Sequence, residues 1–214
     1  MRSTAWILVA LAATSVAACG GGSKYTTVTI PPRLELGQYQ RAALTTFTVE
    51  NAKGTLHEFA TQRFAETVLH AQRDVEVLEI GTVSAVLAQT GESVFGPASA
   101  KTFVTSHDVP VVFAGHVKVS NVKASGGLLG LAMPHVEASV AVDLSVALYS
   151  TRTGGTLWRS GASATEKVGH VAFIGREPSF SAKDPAAAYG RLVDRLVASV
   201  SQDLYPTYER RRIN

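Results

Sequence analysis

The chain has 214 residues, 46% hydrophobic and 17% charged, a balance that excludes a disordered stalk and suffices for one large folded domain. Lysine and arginine total 20 against 17 acidic residues, and a formal charge of +3 is too slight an excess to mark a nucleic-acid binder. A single cysteine excludes an intrachain disulfide, so core packing must hold the fold.

That cysteine closes an N-terminal leader. Arg2 precedes an apolar run from Ala5 to Ala13, too short to cross a bilayer as a helix. Val16-Ala17-Ala18-Cys19 follows, and these four residues resemble the bacterial lipobox. The resemblance implies a signal peptide over 1–18, cleavage before Cys19 and diacylglycerol on its thiol. Gly20 stands where an aspartate would mark retention in the inner membrane, so the periplasmic face of the outer membrane is the expected location. Residues 19–37 read as a flexible tether, with Gly20-Gly21-Gly22 mobile and Pro31-Pro32 stiff and extended.

A single α/β domain is expected over 38–206. A first strand is expected from Arg41 to Val49. Thr55-Leu56-His57-Glu58 matches a capping box, and Leu56, Ala60, Phe64, Val68 and Ala71 follow at helical spacing to about Gln72. Val75 to Leu78 reads as a short buried strand. Thr82 to Gln89 reads as a helix stopped by Gly91. Ala98 to Thr105 suits a helical turn or two. Val111, Phe113, Val117 and Val119 alternate with polar or small residues, as do Val136 through Leu148, so both runs are strands with one wet face. Thr151 to Gly155 is a turn, and Leu157 to Lys167 returns as the partner strand. Asp184-Pro185 caps a last helix whose stripe is Tyr189, Leu192, Val193, Leu196, Val200 and Leu204. Residues 207–214 form a tail whose Arg210-Arg211-Arg212 suits solvent and can also draw anionic lipid or cell-wall carboxylates. The order strand, helix, strand, helix, three strands, helix predicts a mixed five-stranded sheet, parallel at its start and an antiparallel meander later, covered by helices.

Four segments carry a resemblance. They are the strand after a proline-rich lead (Tyr39 to Phe47), the helix from Leu56 to Leu69, the run Val75-Glu76-Val77-Leu78-Glu79-Ile80-Gly81, and the turn Thr153-Gly154-Gly155-Thr156-Leu157-Trp158. In this the chain resembles a superfamily of bacterial envelope proteins: the curli-secretion lipoprotein CsgG, the amino-terminal domain of TolB, and LpoB, which activates a penicillin-binding protein. The resemblance spans roughly residues 37 to 204. It implies a non-enzymatic protein acting through protein contacts, with no catalytic residues to carry over. The connections at 124–134 and 169–183 are too short to supply the hairpins of a transmembrane barrel, so the pore-forming role does not carry over.

Motifs for chemistry fail on inspection. His57-Glu58 begins like a zinc-protease motif, but Thr61 stands where the second histidine is needed. Gly96 to Thr102 lacks the glycine before Lys101 that a phosphate loop requires. His116, His135 and Glu137 lie on polar strand faces and form a weak metal-site candidate, for which a surface role is the simpler account. No cofactor and no nucleic acid are expected. Two apolar loops are candidate partner contacts. One carries Leu128, Leu129, Leu131 and Met133, the other Phe173, Ile174, Arg176 and Phe180. The expected function is a lipid-anchored regulatory factor for cell-wall synthesis, held to membrane lipid through Cys19 and binding an envelope protein. The alternatives are a part of a secretion or transport assembly, with which a homo-oligomer is compatible, and a metal-dependent envelope enzyme.

Overall fold

The computed structural model describes residues 25–102, 108–124, 136–174 and 177–213. The chain divides into two compact units, of which the larger spans Ile30–Thr207.

In the larger unit, the described strands of one mixed sheet are β2 (Arg41–Leu44), β3 (Thr48–Glu50), β4 (Lys53–Gly54), β5 (Glu76–Glu79), β6 (Val111–Ala124), β7 (Val136–Ser150), β8 (Thr156–Ile174) and β9 (Glu177–Phe180). They run in the order β4-β9-β8-β7-β6-β2-β5, with β3 also paired to β6. β2 pairs in parallel with β5 and β6, whereas β6 to β9 form an antiparallel meander. The mixed α/β class is therefore as expected, but among the described residues the sheet has eight strands where five were expected. The first expected strand is broken into β2 and β3 at Thr45, whose amide and hydroxyl both donate to the Phe113 carbonyl, at 3.0 and 3.2 Å. β4 and β9 are the other additions. They form because Lys53 and Gly54 pair with Ser179 and Phe180 across most of the chain. β5 lies at the sheet edge, with Glu76 and Glu79 exposed, rather than buried.

Only Asn51 and Ala52 separate β3, on β6, from β4, on β9. Four Cα atoms in sequence span at most about 11 Å, so the sheet must curl until its two flanks nearly meet. The curl wraps the main core. Helices α1 (Leu56–Ala71) and α4 (Pro185–Val200) close its inner side. Leu56, Ala60, Phe64 and Val68 of α1 and Leu192, Val193, Leu196 and Val200 of α4 are buried against Phe113, Val117, Leu144 and Leu148. The expected stripe of α4 is thus the buried one, and Asp184 caps it by accepting from the Ala187 amide at 3.1 Å. The capping box of α1 does not form. The Thr55 amide donates to the Phe180 carbonyl at 2.8 Å, and its hydroxyl meets Tyr189 Oη at 3.0 Å. A tertiary contact has replaced the local one.

The segment read as tether up to residue 37 is docked in its second half. Leu34 and Leu36 are buried, and the Gln72 side chain accepts from the Leu36 amide while donating to the carbonyls of Leu34 and Leu204. On the outer face, α2 (Ser84–Thr90) ends at Gly91 in the left-handed conformation (φ +70°), as expected, and α3 (Pro97–Lys101) follows. These two cover a smaller cluster of Ala43, Val112, Ala114, Phe95, Ala147 and Tyr149.

The smaller unit contains all but the end residues Ile30 and Thr207 of a ribbon formed by β1 (Tyr25–Ile30) and β10 (Thr207–Arg212). Part of the expected tether and most of the expected tail are therefore strand. The β-branched run Thr26 to Ile30 favours extension, but its partner lies nearly the whole chain away, beyond any local pattern.

Candidate functional site

Strand alternation decides what the outer face of the sheet presents. Along β6, Val111, Phe113, Val117 and Val119 point to the main core, so Val112, Ala114, His116 and Lys118 point outward. The cover of α2 and α3 stops near Ala114. A hollow of about 220 Å³ opens there, floored by Phe95, Ala147 and Tyr149 and rimmed by Val94, His116 and Arg159. Val94 is 43% exposed at its lip, and Arg159 Nη2 donates to Tyr149 Oη at 3.4 Å.

Beyond the hollow the outer face is polar and internally paired. Ser145 sits opposite His116, and Asp143 opposite Lys118. Glu50 on β3 accepts from His116 Nε2 at 3.2 Å and from Lys118 Nζ at 2.9 Å. The other ring nitrogen, Nδ1, lies 2.8 Å from Thr48 Oγ1, so both nitrogens of His116 are hydrogen-bonded. Asp143 accepts from the hydroxyls of Ser120 and Ser163. Hydrogen bonds from Lys118, then His116, hold the Glu50 carboxyl below the usual carboxylate range, and those from Ser120, then Ser163, do the same for Asp143. Carboxylates engaged in this way stay ionised and are poor proton shuttles at neutral pH. The strip suits recognition by charge and hydrogen bonding.

The stretch that faintly resembles a phosphate loop is occupied by the protein itself. Glu92 accepts from the Ser99 amide at 2.8 Å and from the Ser99 hydroxyl, at the start of α3. That hydroxyl first, then the backbone N–H groups of Ser99, Ala98 and Gly96, keep the Glu92 carboxyl below its ordinary value. Glu92 therefore contributes stability that is present above the ordinary carboxylate range and lost as the pH falls through its lower folded value. Glu92→Gln is expected to lower the melting temperature on the neutral plateau and leave it nearly unchanged well below the carboxylate range, so that the acid limb of a plot of melting temperature against pH flattens.

The sites expected from sequence fare unevenly. Leu128, Leu129, Leu131, Met133, His135, Arg176 and Cys19 lie outside the described residues. Phe173 and Ile174 end β8, pairing with Pro178 and Glu177 of β9, so 171–180 is a hairpin in its described part and not a loop. Phe180 is corrected from partner contact to core: it is fully buried and meets Tyr189 edge-on at 5.8 Å. Pro178 is tolerated because β4 covers only Ser179 and Phe180, leaving β9 an edge strand at that point. The His116–Glu137 pairing is also corrected. His116 sits opposite Ser145, so Glu137 is eight residues further along β7, about 26 Å at strand rise. The partner that His116 does find, Glu50, comes from a parallel pairing that no local pattern signals. Among the described residues, no three of His, Cys, Asp and Glu gather where a metal ion could bind.

No family model matches the chain, and no curated protein matches it. Among solved structures it is similar in fold to the PelC dodecamer from Paraburkholderia phytofirmans, at 12% identity and a TM-score of 0.47, over 84% of this chain and 97% of that one. It is also similar to the LpoB C-terminal domain from Salmonella enterica, at 12% identity and 0.37, over 60% of this chain and 84% of that one. A lipoprotein from Neisseria meningitidis follows at 15% and 0.35, over 59% of this chain and 83% of that one. Bacterial lipoproteins are thus among the structures it is similar to, and at these values the likeness carries nothing of their function to this chain.

Proposed function

We propose that the protein is a lipid-anchored lipoprotein of the bacterial envelope that acts by binding a protein partner, as a regulator of cell-wall synthesis machinery in the manner of LpoB. The observation that carries the reading is the leader itself: a basic start, a short apolar run and the sole cysteine of the chain directly after Val16-Ala17-Ala18. The arrangement of the outer face supports a binding role. Its carboxylates are tied to serines, a lysine and a histidine, and its apolar hollow is bordered by the exposed Val94 and Arg159. On this reading Cys19 holds the protein at the periplasmic face of the outer membrane, and no bond-breaking chemistry is its own.

Feeding cells a tagged palmitate tests the anchor. The wild-type protein is expected to take up the tag and to show, by intact mass, a chain beginning at an acylated Cys19; Cys19→Ser is expected to take up none. An unprocessed wild-type chain without lipid overturns the reading. A photo-crosslinker at position 94 is expected to capture a cell-wall synthase, and one at the exposed Leu69, on α1, is not.

A further inference from the structure

The ribbon is a two-stranded sheet whose β10 residues are all exposed, and two strands alone are marginal in water. Its charges are sorted by face. Alternation puts Tyr208, Arg210 and Arg212 on one side of β10, and Thr207, Glu209 and Arg211 on the other. On the second side Glu209 neutralises Arg211, at 3.2 Å. On the first side the Arg210 guanidinium lies over the Tyr25 ring, 5.5 Å from its centre, and among the described residues no carboxylate pairs with Arg210 or Arg212. Tyr25 and Tyr208 are 55% and 67% exposed. One face therefore carries two tyrosines and two unneutralised arginines, the residue types that settle at a lipid–water boundary.

The sequence says what this face is near. Only residues 20–24 separate Cys19 from Tyr25, so the ribbon begins within about 22 Å of the Cys19 Cα, however the intervening chain runs. We propose that the Tyr25–Tyr208–Arg210–Arg212 face docks on an anionic phospholipid surface, as a second, electrostatic membrane contact beside the acyl anchor. The proposal rests on the lipoprotein reading for the nearness of the bilayer, and on the ribbon alone for its chemistry. A basic side chain near an anionic surface strengthens binding by about fivefold, so two act together by about 25-fold.

The chain from Gly20 onward retains every described residue and lacks the lipid, so it isolates the ribbon's contribution. It is expected to co-sediment with vesicles of phosphatidylcholine and phosphatidylglycerol, to bind pure phosphatidylcholine vesicles far more weakly, and to be released by high salt. Arg210→Gln with Arg212→Gln is expected to cut binding to the anionic vesicles by at least tenfold. Arg211→Gln, on the neutralised face, is expected to change it less than threefold. Equal binding to both vesicle types, or an Arg211→Gln loss matching that of the double variant, overturns the proposal. The outcome is separable from the anchor test: palmitate-labelled protein without vesicle preference sinks the ribbon contact alone, and unlabelled protein with that preference sinks the anchor alone.

Discussion

Phe113→Ala is expected to destabilise the larger unit by about 3–5 kcal/mol, a large share of the roughly 5–15 kcal/mol by which a domain is stable. Phe113 is completely buried near the start of β6. Its ring meets Phe64 of α1 edge-on at 5.3 Å and Trp158 of β8 edge-on at 6.3 Å, so it joins the covering helix to the meander. Phe64 in turn lies 5.6 Å from Phe47. Removing the ring leaves a void walled by aromatic side chains, which cannot collapse inward without breaking their contacts with one another. The carbonyl of the same residue receives both donors of Thr45, and the backbone there is held in place, which further limits relaxation. Urea titration should show a lower midpoint with the slope unchanged, and a fall in melting temperature on the order of 10 °C. A loss below about 1 kcal/mol would mean that the ring does not occupy the core.

Phe113 was legible as an inward-facing residue because its strand alternates, and the same holds for most of what sequence reading recovered. α1, α2, α4 and the β6–β7–β8 meander announce themselves through period, caps and short turns, all within a few residues of one another. What stayed hidden depends on residues far apart in the chain. Leu34 and Leu36 sit in a proline-rich lead that reads as linker, yet Gln72 and Asp203 supply the hydrogen bonds that dock it. Phe180 looks like an exposed loop aromatic until β4 pairs with β9 and places it on the core. At the candidate site, the polar face of His116 was readable from alternation, but its bond to Glu50 spans 66 residues through a parallel pairing. The ribbon is the extreme case, since neither β1 nor β10 has any local reason to be paired. Local pattern encodes which side of a strand is wet. It does not encode which distant strand arrives beside it, and that is where the chemistry of this surface is assembled.

The curl of the sheet gives the second large effect. Gly54→Ala is expected to cost about 3 kcal/mol or more, because two penalties coincide at one atom. Gly54 has φ +91°, where a side chain is strained, and an added Cβ would stand 2.0 Å from the Phe180 carbonyl oxygen and 2.4 Å from its carbon. That carbonyl accepts from the Thr55 amide, so it cannot swing aside without uncoupling the start of α1 from β9. Gly115→Ala offers the informative contrast. Its Cβ would also stand 2.4 Å from a neighbour, but the neighbour is the ring of Phe47, a side chain that can be exchanged. Gly115→Ala should cost about 1–3 kcal/mol, and adding Phe47→Leu should recover part of it, giving a favourable coupling in a double-mutant cycle. Phe180→Leu should bring no such relief to Gly54→Ala, because trimming the side chain leaves the obstructing carbonyl where it was. If the two cycles gave equal couplings, the close approach of β4 to β9 would not be a backbone contact, and the seam that curls the sheet would have to be held in some other way.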